Sequence, residues 1–237
     1  MGPAAQAVSL LFSIFEQHQV LRMQFFVSDD HFMKRKKINP DPVLRSRLEN
    51  SLIQAEQLAM RALGHDASDK NALLVLTLVY GLRADHAALV EHHDLAALRF
   101  SNKGNEWAHK LLGVSPQSYD AYVATGIQKY LVSLKPAPVR WMLRIGGING
   151  NRDEGLRELE LAADKGHYLA PFAQILLAIA FLRKGERQRS IEILRELNRQ
   201  FPHNSLFAEE VARLTLKDPA HSPDSISPIE SPGRASN

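Results

Sequence analysis

The chain has 237 residues, with 29 Lys+Arg against 26 Asp+Glu, a formal net charge of +3, 45% hydrophobic residues and no cysteine. These proportions suit one continuous, elongated core. They exclude disulfides, thiolate metal sites and thiol catalysis, and the small positive balance excludes nucleic acid as an expected partner. No run approaches eighteen apolar residues, so no integral membrane segment is expected.

The first 21 residues, MGPAAQAVSLLFSIFEQHQVL, hold a short apolar run from Val8 to Phe15 with no basic residue ahead of it and Glu16 where a cleavage site would want a small one. That is a poor export signal. The spacing of Leu10, Leu11, Ile14 and Phe15 predicts instead an amphipathic helix made to pack on a repeat. With the basic run Lys34–Lys37 before Asn39-Pro40, it forms a first unit, residues 1–38, read as the remnant of an earlier repeat. The run carries too few charges to set a partner and is expected to be a solvated loop. As written the chain is expected in the cytoplasm, an exported form requiring a leader upstream. A first helix without its own neighbour makes a homodimer through that end a further expectation.

Residues 39–216 read as a helical domain. A helix is predicted from Val43 to Leu63, followed by the turn HDASDK. Asn71 to Arg83 is apolar nearly all round, so its helix should be buried on two sides. Its partner is predicted from Ala88 to Leu112, with Pro116 closing the unit. Tyr119 opens the next unit, whose second helix is Asp153 to Asp164, after an insertion at 134–151. Pro171 to Pro202 gives two amphipathic helices with Gly185 between them, well placed as a left-handed terminator. Pro202 ends the second helix. Asn204 to Leu216 reads as a terminal cap. From Asp218 onward, five serines and four prolines predict a disordered tail, residues 217–237.

The stretch Pro171–Pro202 resembles the tetratricopeptide repeat (TPR). Ala178, Phe181 and Pro202 stand where that repeat places a small residue, an aromatic and a closing proline. The resemblance implies an all-α, right-handed α-α superhelix of divergent TPR-like helical hairpins, a surface for holding other molecules. The stretches FMKRKKINPDP, LVYGLRADH, LAALRFSNKGNEWAHKLL, YDAYVATGIQKYLV and GNRDEGLRELELAADKGHY also resemble a set of bacterial TPR proteins across roughly residues 10–214. Members of that set usually begin further upstream, with a leader and an extra repeat. Their pattern supplies no catalytic residue.

Four places are candidates for function. The inner face of the superhelix would be lined by Asp120, Val123, Ile127 and Tyr130 from one unit and by Phe172, Ile175, Ile179 and Leu182 from the next. A partner helix or an extended apolar peptide suits such a wall; the competing expectation is that a helix of the chain itself fills it. The insertion, LKPAPVRWMLRIGGINGN, predicts a short basic helix with Pro138 in its first turn. Its Trp141 would dock on a partner or an anionic membrane, or fold back as a lid on its own repeats, which is the expected placement. Gly146, Gly147 and Gly150 fit no phosphate loop. The third place is the basic run. The fourth, Glu91, His92, His93 and Asp94, looks like a metal site, yet adjacent positions on a helix diverge by about 100°, so solvent-facing histidines are expected and no metal. No cofactor and no catalytic arrangement is read from the chain. The expected function is a non-enzymatic scaffold holding a protein or peptide on the inner face; the alternative is an envelope-associated structural or assembly factor with a membrane-peripheral insertion helix.

Overall fold

A computed structural model describes residues 2–18, 20, 38–145 and 147–216. The described residues are all helical, without a strand: α1 (Gly2–Gln17), α2 (Pro42–His65), α3 (Lys70–Leu89), α4 (Asp94–Val114), a 3-10 turn (Tyr119–Ala121), α5 (Tyr122–Ser133), α6 (Ala137–Ile145), α7 (Arg152–Lys165), α8 (Ala170–Lys184), α9 (Arg187–Gln200) and α10 (Ser205–Leu216). The expectations for Lys34–Lys37 and for the tail from Asp218 fall outside these residues.

Local chemistry fixes most boundaries. Asp41 caps α2 by accepting the Val43 amide at 2.7 Å, with Pro42 pre-set for the first turn. Asp69 accepts the Ala72 amide at 3.0 Å, and Asn151 the Glu154 amide at 3.1 Å. Gly185, at φ 85°, ends α8 in the left-handed region as the sequence predicts. The expected helix from Ala88 to Leu112 is corrected. Helix α3 runs on to Leu89, the chain turns through residues 90–93 with His92 at φ 57°, and α4 starts at Asp94.

Apart from α6, each helix packs on its neighbours in chain order, α5 meeting α7 directly across the insertion. The hydrophobic clusters follow suit: Leu11, Ile14, Leu48, Leu52, Leu76 and Val79 join α1, α2 and α3. Leu73, Ala108, Leu111 and Ala121 join α3, α4 and the 3-10 turn. Leu159, Leu177 and Phe181 join α7 to α8, and Ala178, Leu194, Leu197 and Phe207 join α8, α9 and α10. Helix α1 thus shares one core with α2 and α3. Helix α3 is long and apolar enough to cross a membrane by length and composition, and nine of its residues are buried against its neighbours.

Two crossings rest on glycine. A Cβ on Gly104 of α4 would meet the Thr77 carbonyl of α3 at 3.4 Å. Between α5 and α7 the approach is closer: a Cβ on Gly155 would lie 2.7 Å from both the Gly126 oxygen and the Tyr130 nitrogen. Gly155→Ala should therefore force the two helices apart and destabilise the protein by about 1–3 kcal/mol. Gly81→Ala in α3, where a Cβ meets nothing within 4 Å, should instead stabilise by about 0.5–1 kcal/mol through helix propensity. Urea unfolding of both variants against wild type measures the contrast.

Candidate functional site

The inner wall expected from the sequence is largely consumed by the fold. Asp120 is buried, and its Oδ1 accepts the backbone amides of Tyr168 at 3.0 Å and Leu169 at 2.8 Å. These amides precede α8, whose N-terminal residue Leu169 has no side-chain cap of its own. Asp120 thus caps a helix four elements further along the chain, satisfying donors that would otherwise be orphaned. Val123 is buried with Ala162 and Ala173, and Tyr130 is buried where α5 meets α7. For Asp120, Val123 and Tyr130 the expectation of an open wall is corrected: packing with α7 and α8 removes their side chains from the surface.

The remaining wall residues are half-buried. Ile127 packs on Leu159, Leu177 and Phe181. Ile175, Ile179 and Leu182 pack on the cluster shared with α9 and α10. The Phe172 ring meets Phe12 of α1 edge-on, with centroids 6.1 Å apart and planes at 81°. A helix of the chain itself therefore covers Phe172. Nothing in the frame of the repeats marked Phe12 as its partner, since only long-range folding brings α1 to α8.

The insertion behaves in the opposite way. Helix α6 has no buried residue. Trp141, Met142 and Ile145 are exposed by 67%, 63% and 69%, which overturns the expectation of a lid. Val139 and Leu143 are half-buried, so the helix leans on the body by that side only.

What holds α6 out is the joint between α5 and α7 at its base. The Asn151 amide donates to the Lys129 carbonyl at 3.2 Å. Gly150 lies so close to α5 that a Cβ would stand 2.6 Å from the Ser133 nitrogen. Arg140 Nη1 donates to the Ser133 carbonyl at 3.2 Å. Lys129 Nζ bridges Glu154 and Glu158, at 2.5 Å from each. Burial pushes the Lys129 ammonium pKa down, but hydrogen bonds and charge from the two glutamates outweigh it, and the net shift is upward. The same bond holds the Glu154 carboxyl below its ordinary range. The insertion is thus pinned at both ends to a rigid pair of helices.

The histidine cluster does not assemble into a metal site. Glu91, His92 and His93 lie in the turn between α3 and α4, so the helical argument for their divergence does not apply. Glu91 is engaged by Arg45 at 2.9 Å, with His86 Nδ1 at 3.8 Å and His93 Nδ1 at 3.5 Å. Burial lowers the His86 pKa against the pull of Glu91, favouring the neutral ring. Among the described residues no group of three metal-capable side chains comes together. Sequence reasoning missed a second polar joint nearby. Tyr80 donates to Glu56 at 2.6 Å, and Arg83 pairs with Glu56 at 2.9 Å while lying 5.6 Å from the Tyr80 ring centre. Burial and the Glu56 bond raise the Tyr80 hydroxyl to about 12, so the phenol keeps its proton near neutral pH and the network staples α2 to α3.

No family model matches the chain, and no curated protein or solved structure is significantly similar to it.

One half-buried acid lies outside all these networks. Burial raises the Asp85 carboxyl from 3.8 to about 7. A raised carboxylate stabilises the fold while protonated and loses that contribution as pH climbs through about 7. Asp85→Asn should therefore raise the melting temperature at pH 8. The gain should fade as pH falls toward 4, where folded and unfolded carboxyls both become neutral; melts across that range provide the check.

Proposed function

We propose that the chain is a non-enzymatic interaction scaffold, a right-handed superhelix of divergent TPR-type hairpins that carries α6 outward as its docking element. The serial packing of α1 to α5 and of α7 to α10, with α5 joined directly to α7, supports the solenoid reading, because each of these helices covers the stripe its neighbour cannot bury alone. The observation that carries the docking role is the exposure of Trp141, Met142 and Ile145 side by side on a helix with no buried residue. Leaving three such side chains in water costs free energy that only an occupant recovers. The inner wall is the weaker surface, since Asp120, Val123 and Tyr130 are buried and Phe172 meets Phe12.

The test is capture from a lysate that retains both membrane vesicles and soluble protein. It compares wild type with the triple variant Trp141→Ala/Met142→Ala/Ile145→Ala, after both show equal helical circular dichroism. The triple variant should lose at least tenfold of whatever wild type retains. Equal capture by both proteins would overturn α6 as the docking element.

A further inference from the structure

We infer that the surface taken by α6 is the headgroup layer of an anionic lipid bilayer; this rests on the docking role proposed above and names its occupant. The charge of the segment points that way. Lys135, Arg140 and Arg144 are the charged residues between Leu134 and Asn151, with no carboxylate among them, in a chain that is otherwise nearly balanced at 29 cations to 26 anions. An acid-free, cationic stretch around exposed apolar side chains complements a negative surface.

The arrangement of side chains agrees. Positions four apart on a helix share a face. Arg140 and Arg144 therefore form one row, and Trp141 and Ile145 form the row beside it. Met142 extends the apolar side, and Val139 with Leu143 closes the circle against the body. This places cations next to an indole and two aliphatic chains, the composition of helices that lie in the plane of a membrane interface. A tryptophan suits that depth because its ring is apolar while its N–H remains hydrated.

Shape and length argue likewise. Nine residues span about 14 Å at about 1.5 Å per residue, far short of the roughly 30 Å hydrocarbon layer, so α6 lies on a bilayer and does not cross it. The apolar side chains project from a raised helix. A protein partner would need a matching groove rimmed by carboxylates, whereas a bilayer accepts a projecting helix without one. The pinned base at Gly150, Asn151 and Lys129 sets the helix orientation before contact, which reduces the ordering cost of binding.

The experiment is flotation of the full chain with vesicles of phosphatidylcholine alone and of phosphatidylcholine with about 30% phosphatidylserine at about 50 mM salt. Wild type should float with the anionic vesicles and remain behind with the neutral ones. Arg140→Gln/Arg144→Gln should weaken binding about tenfold or more, at roughly fivefold per cation near the surface, and the triple apolar variant should abolish it. Failure of wild type to float with anionic vesicles, or flotation that the triple variant retains, overturns the lipid assignment. The two readings fail separately. If wild type ignores both vesicles while the triple variant loses a captured protein, the bilayer is wrong and the scaffold role stands. If the triple variant loses neither, both fall.

Discussion

The contact between Gly126 and Gly155 is the constraint on which the exposed surface of this protein depends. At most helix crossings the side chains set the separation, but here the two backbones meet, and a Cβ on Gly126 would stand 2.9 Å from the Gly155 oxygen. That proximity brings Lys129 within reach of Glu154 and Glu158 and Gly150 against Val132 and Ser133. An inserted loop of this length would normally loosen the hairpin that carries it. In this chain the hairpin closes beneath the insertion, and α6 is held away from the core because the space it would occupy is already filled.

The same economy empties the inner face of open surface. Asp120, an acid at the start of one hairpin, caps the first helix of the next through the Tyr168 and Leu169 amides. Phe12 and Phe172 join the first helix to the eighth, and α10 covers part of the wall offered by Ile175, Ile179 and Leu182. Side chains used to hold the helices together are not open to a partner, which directs attention to another surface. Helix α6 is a described element where large apolar side chains and cations stand together in water without any buried residue on the same helix.

Much of the helical order was legible in the sequence, for identifiable reasons. Helix boundaries that depend on local chemistry, such as Gly185 and Pro202 around α9, could be placed because a left-handed residue and a missing amide act within one turn. The junction at residues 90–93 was missed: Ala88 to Leu112 keeps helical spacing straight through it, and the positive φ of His92 has no sequence signature. The site was less legible. Helical spacing puts Val123 and Tyr130 on one stripe, but spacing does not say whether that stripe meets solvent or α7 and α8. Trp141 was misplaced for the opposite reason. Large aromatic rings usually find cover, and the glycine contacts that deny it cover join residues far apart in the chain. From the sequence Gly150 was only excluded from a phosphate loop, whereas its role is to let the insertion close against α5.

If α6 stands in water on a rigid base, the fluorescence of Trp141 will show it. The chain has two tryptophans, so Trp107→Phe, which removes the half-buried one, leaves Trp141 as the only reporter. The account predicts emission at the wavelength of indole in water and quenching by acrylamide close to that of a free indole. Blue-shifted emission that acrylamide barely quenches would place Trp141 against the repeats, and would contradict the account.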